Sequence, residues 1–290
     1  MIGAGVLFLF FAAGSSEVTC GTCHKQQAAT QPTTSMAHAL ELVADCAILR
    51  EHPHLTFKQG PYTYSITRQG NQSIYKVTDG TSAITAPIGW AFGLGAAGQT
   101  YVYERDHVIY ESRVSFYKVT NGLDLTIGAL AGTPKNLEDA AGRAMSQKDV
   151  TSCFGCHATG GVRTSTSYLQ EIKPGVLCEN CHPQAQQHMA AIRAGDVKNA
   201  AMPHLSKMDA EETSEFCGRC HRTWADISTN GPHNIGNIRF QPYRLTNSKC
   251  YDAADRRIRC TTCHDPHVEV VRAPATYDSK CLACHGRLTW

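Results

Sequence analysis

Two textures divide the chain. From Thr56 to Gly128 apolar and polar positions alternate, as at Tyr62, Tyr64 and Ile66 and again at Tyr101 and Tyr103, which is the period of a half-buried strand. Turn formers punctuate this stretch at Gln69-Gly70-Asn71, Asp79-Gly80 and Asn121-Gly122. The glycine-rich run Gly93–Gly98 breaks any longer strand. The pattern predicts an antiparallel β-rich insert of roughly five to seven strands. It carries aromatic residues and no catalytic constellation, so packing or docking is its expected role. On either side the alternation stops. An Ala- and Gln-rich segment from Lys25 to Arg50 reads as helix, expected to end near His52-Pro53-His54 because proline stops a helix. From Pro134 onward, amphipathic pieces such as Lys135–Lys148 and Pro183–Gly195 alternate with loops.

The first thirteen residues, Met1–Ala13, are apolar and run into Gly14-Ser15-Ser16. This has the core and cleavage region of a secretory signal, although the usual positive leader is missing. The run is too short to span a bilayer as a helix, and an uncleaved anchor is the lesser alternative. The expected organisation is a signal-like segment over 1–16, a first cofactor segment over 17–55, the β-rich insert over 56–132 and a cofactor-dense domain over 133–290. The fold class is α+β.

Cysteine and histidine change the picture most. There are 14 of each in 290 residues, and the pattern C-x-x-C-H occurs six times. The six are Cys20, Cys23 and His24; Cys153, Cys156 and His157; Cys178, Cys181 and His182; Cys217, Cys220 and His221; Cys260, Cys263 and His264; and Cys281, Cys284 and His285. Chance would supply about 0.03 such motifs. The two thiols add across the vinyl groups of a haem and the histidine becomes an axial ligand of its iron. Six covalently attached haem c groups are therefore expected. A zinc reading needs paired ligand sets without an invariable histidine beside the second cysteine. Twelve cysteines are consumed in this way. Cys46 and Cys250 are left over, and an exported, oxidising location would allow a disulfide between them if the fold brings the two together.

The formal charge of +2 describes the apoprotein. Twelve ionised propionates set against six ferric charges would bring the oxidised holoprotein to about −4. No Lys or Arg run marks a nucleic-acid or polybasic membrane site. Little apolar sequence separates the later motifs, so the macrocycles are expected to supply much of that half's core.

Eight histidines lie outside the motifs, and six irons would need six distal ligands. His107 sits at Asp106-His107 between two arms of a hairpin and reads as a turn residue. His54 is favoured over His52. His38, His54, His188, His204, His233 and His267 then remain as distal candidates. Met36, Met189 and Met202 lie within two residues of candidates and would raise the potential if they bound iron, but they read as gap-fillers. His267 follows His264 too closely to reach the opposite face of the same ring, so it is expected to serve the haem of a different motif.

With these motifs, Ser35-Met36-Ala37-His38, the stretch Gly98–Arg105, the stretch Gly175–His182, the stretch Arg239–Leu245 and Cys263-His264-Asp265-Pro266-His267, the chain resembles multihaem c-type cytochromes with one N-terminal haem, a β-rich insert and a haem-dense C-terminal half. The resemblance implies maturation outside the cytoplasm, in the periplasm or beyond it, and bis-histidine electron transfer. Its expected partners are redox proteins, namely other cytochromes or a membrane quinol-linked complex, with self-association also open and no nucleic acid. Some relatives continue into tetratricopeptide repeats, which are not expected here. Two rival readings remain: an oxidoreductase with one open haem acting on a small nitrogen or sulfur oxyanion, and a subunit of an extracellular cytochrome filament.

Overall fold

The computed structural model describes residues 19–129, 132–160, 169, 171–231, 240–255 and 257–286. The signal-like segment and His233 lie outside them. The fold is mixed α+β, built on a large antiparallel sheet. A short strand β1 (Leu40–Leu42) precedes a sequential meander of β2 (His54–Gln59), β3 (Tyr62–Gln69), β4 (Gln72–Thr78), β5 (Ala83–Phe92), β6 (Gln99–Arg105), β7 (Val108–Tyr117) and β8 (Gly122–Leu125). Later β9 (Gly142–Ala144) joins β7, while β1 pairs with β5. The meander curls until its end strands, β2 and β8, lie against one another. Arg113 on β7 helps to tie this seam, donating to Gln59 Oε1 (3.0 Å) and to the Gly132 carbonyl (2.8 Å).

The turn residues act where the sequence places them. Gly70-Asn71 closes β3 onto β4 with Gly70 at φ +60°. Asp106 and His107 both take positive φ (50° and 62°), as a two-residue hairpin of right-handed twist requires. His107 is a fully exposed turn residue.

Inside the roll lie Tyr62, Tyr64, Tyr75, Tyr101 and Tyr103, with Ile66, Val77, Val114 and Phe116. Helices α3 (Ala47–Glu51) and α4 (Leu137–Ala141) supply Ile48, Leu49, Ala140 and Ala141 to the same core. A buried phenol needs an acceptor. Tyr75 and Tyr103 both donate to the Ala141 carbonyl, at 3.0 and 3.2 Å.

Two helical expectations change. The segment from Lys25 to Arg50 is not one helix: α2 (Lys25–Thr30) passes into a single 3₁₀ turn (Gln31–Thr33) at Pro32, and Leu40–Leu42 is drawn into pairing with Trp90–Phe92. Pairing with a long neighbouring strand outweighs helix propensity there. The stretch Lys135–Lys148 likewise breaks. α4 begins at an Asn136 cap and stops at Gly142, whose φ of +142° and close approach to the Glu111 carbonyl exclude a side chain. α7 (Ala185–Arg193) forms within the expected Pro183–Gly195 piece. No helix among the described residues is long and apolar enough to cross a membrane.

The two spare cysteines do not pair. Cys46 is buried in the sheet core and its thiol donates to Gln99 Oε1 (3.2 Å), whereas Cys250 is exposed. The sequence could not show that one would be sealed inside the roll. Burial pushes the Cys46 thiol up to about 11, helped by the Glu41 carboxylate and opposed by hydrogen bonding from the Leu49 backbone. Because the folded value lies above the ordinary 9.0, the neutral thiol's contribution is complete below pH 9 and is lost as pH rises towards 11. Alkylation at pH 8 should label Cys250 alone in the native holoprotein and both thiols after denaturation without reductant, read by intact mass.

Candidate haem centres

The six motifs use two local designs. The first, third and fifth are single helical turns: α1 (Cys20–Cys23), α6 (Cys178–Cys181) and α11 (Cys260–Cys263). In each, the histidine N–H donates to the carbonyl of the first cysteine, at 2.9, 2.8 and 3.0 Å for His24, His182 and His264. Positions three and four apart share a helix face, so both thiols and the imidazole can meet one ligand. The second, fourth and sixth motifs end longer helices: α5 (Gln147–His157), α8 (Ala210–His221) and α12 (Ala275–His285). Capping boxes start α5 at Ser146/Asp149 and α8 at Asp209/Glu212.

The sequence writes the six motifs alike, but the fold surrounds them unequally. Cys153, Cys156, Cys178 and Cys181 are half-buried, whereas Cys20 and Cys23 of the first motif are exposed. In the sixth motif Cys281, Cys284 and His285 are all exposed on the last turns of α12. The described protein side chains therefore give the sixth site little cover of its own.

The second motif is anchored to the sheet. Phe154 of α5 stands edge-on to Trp90 (5.3 Å) and Phe92 (5.0 Å) of β5. Val150, Met145, Val102 and Leu40 complete this second core on the outer face of the sheet. The His157 ring packs on Phe92 (5.3 Å) and its Nδ1 donates to the Ala39 carbonyl (2.9 Å). A carbonyl only accepts, so Nδ1 carries the proton and Nε2 is left as a lone-pair donor for a metal. Three distal candidates share this arrangement. Nδ1 faces Glu41 Oε1 in His38 (3.0 Å), the Ala200 carbonyl in His188 and Asp265 Oδ1 in His267 (3.0 Å). Sequence reasoning missed these orienting acceptors, although the i,i+3 spacing of His38 and Glu41 was legible.

Two distal candidates meet motif histidines. The His188 ring lies 6.4 Å from that of His24, at an interplanar angle of 48°. The His267 ring lies 6.3 Å from that of His182, at 10°. A metal–imidazole bond is about 2.0–2.1 Å and the ring centre lies roughly 1 Å beyond the nitrogen, so two imidazoles sharing one metal have centres about 6 Å apart. His182 is held below its ordinary basicity by burial first, then by His267 and His24.

The remaining candidates stand apart from these pairs. His54 is on β2, exposed, with Nδ1 against Thr67 Oγ1 (3.2 Å). His52 caps α3 and packs on Phe116 (4.8 Å). His204 is exposed at the start of a 3₁₀ turn (Leu205–Lys207). The His264 ring contacts Tyr277 of α12 (5.4 Å).

The motifs are also near one another. Cys156 and Cys220 lie close enough to shift each other's thiol ionisation, as do Cys217 and Cys260. Cys178 feels the charge of Cys20, and Cys217 that of Cys181. Among the described residues, no three His, Cys, Asp or Glu side chains converge as a bare metal-ion site.

Residues 130–183, which contain the second and third motifs, match the family model for cytochrome c554 and c-prime. That match supports a c-type cytochrome. It implies covalently bound haem c. Neither curated proteins nor solved structures yield a match to the chain.

The residues present fit a covalently bound haem c. Of the buried apolar side chains, only Ala200, Ala210, Ile227 and Pro242 lie beyond residue 171 among the described residues, so that half lacks the side-chain core a domain of its length needs. Beside the second motif a groove of about 440 Å³ is lined by Phe92, Val102, Met145, Cys153, His157 and Arg272. It offers apolar walls, a motif thiol, a metal-binding imidazole and one cation for a carboxylate.

Gly175 positions the third motif against the N-terminal segment. Its φ is +80° and a Cβ there would sit 1.7 Å from the Ala37 carbonyl oxygen. Next to it Val176 N–H donates to Met36 O (3.0 Å), and Gln31 Nε2 donates to Val176 O (2.7 Å). Gly175→Ala should therefore lower holoprotein stability by about 3 kcal/mol or more. Gly70→Ala, at φ +60° with open space around it, should cost only about 1 kcal/mol; thermal unfolding of the two variants checks the ordering.

Proposed function

We propose that this protein carries electrons outside the cytoplasm through six closely spaced haem c groups, with each iron held between two histidines. The observation that carries the reading is the spacing of His24 against His188 and of His182 against His267, at 6.4 and 6.3 Å. Bound haem c would supply a one-electron iron couple tuned by its axial ligands and surroundings. The chain's own residues do the rest. Motif cysteines would anchor the haem and motif histidines would bind its iron, with His188 and His267 as the second histidines of the first and third centres. The backbone and carboxylate acceptors behind Nδ1 hold the tautomer and ring orientation.

The contacts between motifs support a continuous route. The first lies beside the third through Cys20 and Cys178, and the third beside the fourth through Cys181 and Cys217. The fourth meets the second through Cys220 and Cys156 and the fifth through Cys217 and Cys260. α12, carrying the sixth motif with Cys281 and Cys284, packs on α11. The fourth motif is then a junction of three neighbours. Donor and acceptor would be other cytochromes or a quinol-linked membrane complex.

A second reading has an observation in its favour. His157 is the single histidine among the described lining of the groove beside the second motif, which also carries Glu111, Tyr117 and Arg272. An iron without a second histidine there would be open to a small oxyanion, with Tyr and Arg at hand.

Carbon monoxide separates the readings, because it binds reduced iron that lacks a sixth ligand. Intact mass should give six haems, and reduced wild-type protein should bind no carbon monoxide. One equivalent bound by the wild type would favour the enzyme. His188→Ala and His267→Ala should each open one iron, and His267→Met should raise one potential and leave five nearly unchanged. If His267→Ala binds no carbon monoxide, His267 is not a ligand.

A further inference from the structure

The helix that carries the fourth motif has a second feature, away from its cysteines. A cavity of about 240 Å³ lies against the first turns of α8 and is lined by Glu211, Ser214, Glu215, Trp224, Thr246 and Tyr251. None of the motif cysteines or histidines lines it. Glu211 and Glu215 are four residues apart and share a helix face. Among the described residues neither carboxylate has a cationic partner. Ser214 is 6% exposed, and its hydroxyl is buried without a hydrogen-bond partner. Trp224, the first residue of α9 (Trp224–Asn230), leaves nearly half its surface, 48%, open. The Tyr251 phenol is pushed above its ordinary range by burial, then by Glu211, Asp209 and Glu215.

A buried hydroxyl with no partner is costly unless something supplies one. Two like charges four residues apart on one helix face are mutually unfavourable, and a cation between them relieves that. An indole face adds cation–π attraction. A bare metal ion does not suit the recess, because no third His, Cys, Asp or Glu converges there among the described residues. We propose that this cavity binds an organic cation, a protonated amine or a guanidinium. Glu211 and Glu215 are its counter-charges, Trp224 its aromatic face and the Ser214 hydroxyl its acceptor. Arginine's planar fork suits paired carboxylates and stacks on aromatic rings. Glu215 stands two residues before Cys217. A cation borne on a protein partner would therefore seat that partner beside the fourth motif, whereas a free amine would be a small ligand of the same recess.

The test is calorimetric titration of the holoprotein at low salt with Nα-acetylarginine methylamide, with n-butylammonium and with neutral n-butanol. The cations should bind and butanol should not, with affinity falling as ionic strength rises. Glu211→Gln/Glu215→Gln and Trp224→Leu should each weaken cation binding by roughly tenfold or more while the haem absorbance spectrum stays that of the wild type. A nine-residue peptide with one arginine among serines and alanines separates the sources. Tighter binding than the single-residue probe assigns the cation to a protein side chain; equal or weaker binding assigns it to a free ligand. No binding by either cation, or equal binding by a spectrally normal Glu211→Gln/Glu215→Gln variant, overturns the proposal.

Discussion

The contact on which the rest depends is the seating of Phe154 between Trp90 and Phe92. It joins two halves built on different principles. On one side is a rolled sheet with its own tyrosine-rich core, closed by the Gln59–Arg113 seam and filled by α3 and α4. On the other are short helices and turns that bury almost no apolar side chains of their own. Edge-on aromatic pairs are worth about 0.5–1.5 kcal/mol each beyond their buried area. Here two of them fix the helix that ends in His157, and thereby set where the second motif stands. The same β5 strand receives β1, so Ala39 is delivered to the Nδ1 of His157 by strand pairing.

From that anchor the motif-dense half is tied back by few, specific links. Gly175 lets the chain pass against Ala37, Gln31 reaches the Val176 carbonyl, and Ser35 donates to Glu269 Oε1 (2.7 Å). These draw residues on both sides of the insert towards the first and third motifs. Ligation by His188 and His267 would add cross-links of the same topology, each joining segments distant in sequence. Such links restrict the unfolded chain as well as the folded one. A fold held in this way needs little apolar sequence between motifs, which is how the chain is written.

The electrostatics follow the same division. In the sheet, burial controls: Cys46, Tyr75, Tyr101 and Tyr103 are all pushed up chiefly by desolvation. Around the motifs, mutual proximity matters as well, because thiols and imidazoles from different motifs lie within reach of each other. Closeness of that kind would suit electron transfer between haems bound there, and it would make each centre's properties depend on its neighbours.

What the sequence determined by itself was local. C-x-x-C-H places its three functional groups within five residues, so the six motifs could be read without a fold. Glycine, asparagine and aspartate tolerate the positive φ that tight hairpins need, so the turns at Gly70, Asp106-His107 and Asn121 could be read as well. Tertiary structure decided everything that depends on chain segments meeting. It split Lys25–Arg50 because Leu40–Leu42 found a strand partner, and it sealed Cys46 inside the roll while leaving Cys250 outside. It half-buried Cys153 and Cys156 against the sheet and left Cys281 and Cys284 exposed, although both pairs sit in the same motif. It brought His188 to His24 and His267 to His182 across more than eighty residues, while His54 stayed on a strand beside Thr67. A histidine's neighbours in sequence say which way its ring is steadied. Which metal it can reach is a long-range contact, set by the packing of the whole chain.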